Sequence, residues 1–390
     1  MAGPSLPPLP LPQGISQSYL PSLDLTYHYL SAGVPSKPLL LLLHGFPELA
    51  FSWRKIMVPL ANLGYHVVAY DQRGYGRTTG WDTREYSTVD LNTFSFVRLV
   101  RDAVIFVSAL GYKDVACVIG HDFGAVSASL CALMRPDIFK SLIMMSHPFR
   151  GAPQLPFNTK TPPAPPTGPD IQAQLASLPQ PRKHYKQYYS TAPAAHEMLE
   201  PKPELHAFLR GYFHLKSADW SGNQPRPLKA WTAEELAQMP YYYIPPLESN
   251  MREAVAALMS QSDPGEVEKS PRWLPDAELA VYAQEWARTG FQGGLNWYRV
   301  STAPEKYMLD VELFAGRKVV VPCVFVAGKS DWGTYQERGA VEALDDVCEQ
   351  FWGTELVDGA GHWVQQEQAE KMVDIAEKFL AKVKKEAMSY

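Results

Sequence analysis

Residues 119–125 read Ile-Gly-His-Asp-Phe-Gly-Ala and follow the apolar run Val115-Ala116-Cys117-Val118 directly. Gly120 and Gly124 flank Asp122 at i−2 and i+2, which is what a strand needs in order to turn at once into a helix. The turn leaves the central side chain exposed on a strained backbone. This is the frame of a nucleophile elbow, with a carboxylate where a serine is usual. A serine there attacks carbonyls. A carboxylate is a poor nucleophile toward amides, but a capable one toward an sp³ carbon bearing a good leaving group or part of a strained ring.

The rest of the first third fits such a turn, because strand and helix signals alternate through it. Leu25–Leu30, Leu39–Leu43, His66–Tyr70, Val115–Ile119 and Ser141–Met145 read as strands. Helical spacing covers Trp53–Leu63, Thr93–Leu110 and Phe123–Met134. The pattern implies a mostly parallel sheet covered on both faces. From Pro148 to Pro181 the chain is dense in proline, with Pro162, Pro163, Pro165, Pro166 and Pro169 close together, and reads as a loop. Helical signals rich in Tyr and Trp follow to about Val300. The alternation then resumes with strands at Val319–Ala327 and Thr354–Val357 and helices near Arg338–Cys348 and Gln365–Lys384. The expected fold class is therefore α/β, with a core from 1–147 and 301–390 and an inserted helical cap from 148–300. Such a cap lies over the C-terminal edge of the sheet, where open α/β sheets bind ligands.

Several functions are excluded. A formal net charge of −5 without a basic block gives nucleic acid or an anionic membrane little to attract. The longest aliphatic run, Leu39–Leu43, is far too short to span a bilayer. The segment Met1–Pro12 lacks the basic start of a signal peptide. Cys117, Cys131, Cys323 and Cys348 form no CxxC pair and read as buried free thiols in a reducing compartment, so a cytoplasmic location is expected. The ten histidines show no metal-ligand spacing, and there is no GxGxxG or phosphate loop. No metal and no cofactor is inferred.

Two further residues complete a constellation with Asp122. Asp331 follows the strand ending at Ala327, in Gly328-Lys329-Ser330-Asp331, and His362 follows the strand ending at Val357, in Gly359-Ala360-Gly361-His362-Trp363. A parallel sheet gathers its strand ends at one edge, so residues far apart in sequence converge there. Asp345, Asp346 and Asp358 compete with Asp331 for the acid position; Asp358 is too close to the histidine in sequence, and the other two sit in a helical run. The turn His44-Gly45-Phe46-Pro47 comes after the leucine strand. It offers the N–H of Phe46, which pairs with that of Phe123 as a two-donor oxyanion hole.

On these pieces the chain resembles the epoxide hydrolase branch of the α/β-hydrolase superfamily, in particular its soluble, microbial or fungal type. The matching segments are HGFPE (44–48), DQRGYGRT (71–78), GHDFGA (120–125), GKSD (328–331) and GAGHWVQQE (359–367). The resemblance implies two cap tyrosines acting as acids. Asn296-Trp297-Tyr298-Arg299 resembles the setting of one, and His184-Tyr185-Lys186-Gln187-Tyr188-Tyr189 that of the other, so Tyr298 and Tyr185 are the candidates. Tyr188 and Tyr189 crowd the second assignment. The triplet Tyr241-Tyr242-Tyr243 also offers a phenol, but is assigned to cap packing. Trp297, Trp363 and Tyr188 are expected to bind substrate. The implied partners are a small hydrophobic epoxide and water, with the oligomeric state left open, a homodimer included.

Three alternatives stand beside that reading. A haloalkane or haloacid dehalogenase shares the aspartyl ester and the histidine, but needs halide donors, and Phe123 beside the nucleophile has no N–H on its ring. A biosynthetic enzyme opening one particular epoxide is compatible with the same residues. A ligand-binding protein on the same scaffold would not need the intact set.

Overall fold

The computed structural model describes residues 6–154 and 170–388, so the proline cluster from Pro162 to Pro169 lies outside the described residues. The described residues contain one eight-stranded sheet: β1 Ile15–Ser22, β2 Leu25–Ala32, β3 Leu39–Leu43, β4 His66–Tyr70, β5 Cys117–His121, β6 Leu142–Met145, β7 Cys323–Gly328 and β8 Phe351–Val357. Their spatial order is β1-β2-β4-β3-β5-β6-β7-β8, antiparallel at β1–β2–β4 and parallel from β4 to β8.

Period-two alternation divides the strands between two cores. Leu40, Leu42, Val67, Ala69, Cys117, Ile119, Ile143, Met145, Val324 and Val326 share one cluster with Ile56, Met57 and Leu60 of helix α1 (Arg54–Asn62) and with Met372, Phe379 and Leu380 of the C-terminal helix Ala369–Ala387. Their neighbours Leu39, Leu41, Leu43, Val68, Val118, Leu142, Met144 and Phe325 join the opposite cluster. There they meet helices α2 (Phe96–Ala109) and α3 (Phe123–Met134), and that core continues into the aromatic residues of the helical segment. Burial on both faces is why β3 reads as five unbroken leucines.

Some elements differ from expectation. β1 was not expected; it is a half-exposed edge strand containing Pro21, and its burial alternates too weakly to register as a run. The helix expected from Thr93 is broken at Ser95, whose extended backbone separates a 3₁₀ turn at Leu91–Phe94 from α2. Only Leu344–Val347 is helical in the segment 338–348.

Between β6 and β7 the described residues form helices and turns. Trp286 Nε1 donates to Pro47 O at 2.8 Å and Trp297 Nε1 to Arg73 O at 2.9 Å, which ties the helices Asp276–Thr289 and Gln292–Ser301 to loops at the C-terminal ends of β3 and β4. The Arg77–Glu285 ion pair at 2.8 Å crosses the same boundary, with both side chains buried. At Gly74 and Gly293 the backbones themselves touch: a Cβ on Gly293 would lie 2.2 Å from Gly74 O. Among the described residues no helix is long and apolar enough to cross a membrane, and all four cysteines are buried and free.

Candidate active site

The turn after β5 is as tight as the glycine spacing requires. A Cβ on Gly120 would lie 2.1 Å from Gly124 O, and one on Gly124 would lie 2.1 Å from Leu43 O. Asp122 takes φ 54°, ψ −122°, a conformation that costs a non-glycine residue on the order of 1–3 kcal/mol. The cost is met by fixed bonds on either side, from Asp122 N to Met145 O at 3.1 Å and from Ala125 N to Asp122 O at 2.9 Å. Gly45 faces this turn so closely that a Cβ would come within 2.5 Å of Asp122 Cβ, and the approach lets Phe46 N–H donate to Asp122 Oδ1 at 3.0 Å. Phe123 is the first residue of α3, so its N–H has no intrahelical acceptor.

His362 is brought to the carboxylate from the loop after β8. Its Nδ1 lies 3.0 Å from Asp331 Oδ1, and its Nε2 lies 3.4 Å from Asp122 Oδ2, too far for a well-formed hydrogen bond. Asp331 is pinned in turn by Gly333 N–H at 2.7 Å. Of the competing acids, Asp358 is exposed and pairs with Lys329. Asp122, Asp331 and His362 are 6%, 1% and 1% exposed, which makes their mutual charges strong. Burial works to raise the Asp122 carboxyl, but the His362 imidazole, with Lys216 and His121 beyond it, outweighs burial and holds the group well below the ordinary carboxylate range. Burial likewise opposes charge on Asp331, and His362 and the Gly333 N–H overcome it.

Two tyrosine rings stand over this floor. Tyr298 packs edge-on against Phe123 and Phe46, with ring centres 5.1 and 5.6 Å away, and Tyr185 lies 6.0 Å from Tyr298. The Tyr185 hydroxyl donates to Gln336 Oε1 at 2.9 Å, while the Tyr298 hydroxyl makes no hydrogen bond among the described residues. Burial, and after it the Asp122 charge, pushes both phenols well above 10.

The residues expected to touch substrate separate here. Trp363 lies edge-on to His362 at 4.6 Å. Trp297 is fully buried behind Phe123 with its N–H engaged by Arg73 O, so it supports the site's wall without facing it. Tyr188 is engaged elsewhere: its hydroxyl donates to Glu197 at 2.8 Å and its ring lies under Lys183. Tyr241–Tyr243 pack within the helical layer; Tyr242 donates to Asn223, and Tyr243 stacks edge-on to Tyr185 at 5.1 Å.

Sequence reasoning missed a buried polar net behind the histidine. His121 Nδ1 lies 2.6 Å from Glu48 Oε2, and His121 Nε2 lies 2.7 Å from His362 O. Gln365 and Gln366 donate to Glu48 Oε1 at 3.0 and 2.9 Å. Burial disfavours charge on His121, but Glu48 outweighs burial and raises the imidazole above its ordinary value. Glu367 closes the loop from the other side: it accepts from the backbone N–H of Gly361, Trp363 and Ala218 at 3.0, 2.9 and 2.7 Å. The signal was present in the motifs HGFPE and GAGHWVQQE, which end in Glu48 and in Gln365, Gln366 and Glu367. Glu48→Ala leaves a buried imidazole without its counter-charge. It is expected to lower unfolding free energy by about 3–5 kcal/mol, read from the denaturant midpoint; a loss under about 1 kcal/mol would mean that the pair carries no charge.

Known proteins bear on this geometry. The family model for the alpha/beta hydrolase fold matches residues 38–369. Epoxide hydrolase B of Mycobacterium tuberculosis is 29% identical over 339 residues, covering 86% of this chain and 88% of that protein. Epoxide hydrolase I of potato (Solanum tuberosum) superposes with a TM-score of 0.65 at 27% identity, over 94% of this chain and 99% of the other. An epoxide hydrolase from an endophytic Streptomyces superposes with a TM-score of 0.74 over 96% and 97% of the two chains, but at 24% identity it speaks to the fold alone.

Proposed function

Because the chain belongs to the alpha/beta hydrolase fold family, we propose that it is an epoxide hydrolase, converting an epoxide to a vicinal diol through an ester on Asp122. The observation that carries the reading is the carboxylate at the elbow, held by Phe46 N–H, faced by His362 and roofed by two protonated phenols. The similarity to proteins named epoxide hydrolases supports it. The catalytic α/β unit is 1–147 with 301–390, and 148–300 is its cap.

An epoxide is an ether made reactive by ring strain, so opening it takes a nucleophile at carbon and a proton donor at oxygen. Asp122 Oδ attacks one ring carbon from the side opposite the breaking C–O bond. That bond's electron pair goes to the oxygen, which takes a proton from Tyr298 or Tyr185, both of which hydrogen-bond it. The carboxylate becomes an alkyl ester. His362, oriented by Asp331, then removes a proton from water as the water attacks the ester carbonyl, and the oxyanion is held by the N–H groups of Phe46 and Phe123. Collapse releases the diol. In that collapse the bond between the Asp122 carbonyl carbon and the product oxygen breaks; the leaving oxygen takes one of water's two protons from the His362 imidazolium, the other returns to the tyrosinate, and Asp122 keeps the oxygen from water.

The indoles favour an epoxide over a halide. The N–H groups of Trp297 and Trp363 are engaged by the carbonyls of Arg73 and Phe213, so neither is available to a leaving halide. Trp332, whose N–H has no partner among the described residues, flanks Asp331, not Asp122.

Replacing Tyr185 and Tyr298 together by Phe is expected to slow single-turnover alkylation by about 10²–10⁴-fold. Since a phenol is the active acid only while protonated, and both lie well above 10, the wild-type alkylation rate should show no falling limb between about pH 7 and pH 10. Rapid mixing with a styrene oxide reads both quantities. An undiminished rate in the double variant would move the acid role elsewhere, with Tyr243 the next phenol to test.

A further inference from the structure

Lys216 caps the C-terminus of the helix Leu205–Leu215. A lysine there ordinarily runs its stem along the surface and leaves its ammonium in water. This one is 4% exposed. Its Nζ lies 4.8 Å from the ring centre of Tyr243, 5.2 Å from Tyr212, 5.6 Å from Trp363 and 5.8 Å from Tyr242. No acceptor among the described residues takes a hydrogen bond from it. Ring faces attract a cation, but they do not replace the acceptors that three N–H groups lose on leaving water. The Tyr243 hydroxyl, on the nearest of these rings, is sealed from solvent and has no hydrogen-bond partner among the described residues. Neither the ammonium nor this hydroxyl therefore has a protein acceptor among the described residues.

They border the reaction site. His362 N donates to Lys216 O at 2.8 Å, and the Trp363 ring lies next to both the lysine and His362. Tyr243 packs against Tyr185. The Lys216 charge also acts on Asp122. With one cation and the carboxylates of Asp122 and Asp331 already present, the site suits a monoanion and not a phosphate dianion. One indole separates the ammonium from the histidine, so the anion and the reacting carbon belong to the same small molecule.

We propose that Lys216 and the Tyr243 hydroxyl form a carboxylate-receiving subsite that selects epoxides carrying a carboxylate within a few bonds of the ring. The proposal rests on the epoxide reading of the site, and its test separates the two. The probes are trans-3-phenylglycidate, its methyl ester and trans-β-methylstyrene oxide, compared by kcat/KM in the wild type, Lys216→Met, Lys216→Arg and Tyr243→Phe. The wild type should prefer the acid over the ester by about tenfold or more, expressed mainly in KM. Lys216→Met should lower that ratio at least about tenfold and Lys216→Arg should restore most of it, with Tyr243→Phe in between. An acid-to-ester ratio that is below one in the wild type overturns the proposal. So does a ratio that Lys216→Met leaves unchanged, or equal losses on acid and ester that arginine does not rescue, which mark a purely positional lysine. Should Lys216→Met fail to fold, the arginine and Tyr243 variants decide by the same ratio. Hydrolysis of the neutral epoxides without acid preference sinks only the lysine subsite, whereas no turnover of all three probes sinks the epoxide reading and the subsite with it.

Discussion

Asp122→Ala is expected to abolish diol formation, with kcat/KM on a styrene oxide falling at least about 10⁴-fold. The size of the effect follows from what the side chain is asked to do. In the proposed route it forms a bond to carbon, and no second carboxylate is positioned to take over, because Asp331 is turned to His362 Nδ1 and capped by Gly333. The fold should persist, since β5, α3 and the backbone bonds of the turn do not depend on the carboxylate. Circular dichroism and a thermal melt check that, and chiral chromatography of the diol reads activity. Substantial diol from a folded alanine variant would remove Asp122 from the role of nucleophile and point to direct attack by water.

The second large effect is a change of rate-limiting step. His362→Gln should leave alkylation running and stop hydrolysis of the ester, so that steady-state turnover falls about 10²–10⁴-fold. Asp122 needs no base to attack, and the Phe46 N–H and the Lys216 charge still favour its ionised form without the imidazole. Glutamine has roughly the reach to keep a hydrogen bond to Asp331 but cannot accept a proton from water. The intact protein, mixed with a styrene oxide, should gain the mass of one substrate molecule, with the adduct mapping to the peptide containing Asp122. A folded variant that is slow and yet never gains mass would exclude a covalent two-step route.

Much of the framework was legible before any coordinates. The strands at Leu39–Leu43 and His66–Tyr70 and the helix at Phe123–Met134 appear with the ends that the residue pattern implied. Each is bounded by a local signal: a continuous apolar run, a glycine turn, or a following Arg-Pro. The meeting of Asp122, Asp331 and His362 was legible too, because strand-end loops of a parallel sheet have little choice but to converge. What failed was longer in range or weaker in pattern. β1 alternates half-exposed residues, and the segment 338–348 folds mainly as turns, so hydrophobic period said little about either.

The sequence by itself determined the interior strands and the helices with a strong local signal, their order, the strained turn at Asp122 and the convergence of Asp122, Asp331 and His362 at the sheet's edge, since the elements and the turn follow from constraints acting within a few residues and the convergence from the parallel strand order. Only the tertiary structure decided which polar groups have partners. It turned Tyr188 to Glu197 and set Trp297 behind Phe123. It joined Glu48 to His121, 73 residues away, and placed Lys216 among four aromatic rings with no acceptor among the described residues. Helical period fixes the face on which a side chain leaves its own element, but a hydrogen bond or an unpaired charge depends on what a distant element brings to within 3 Å of it.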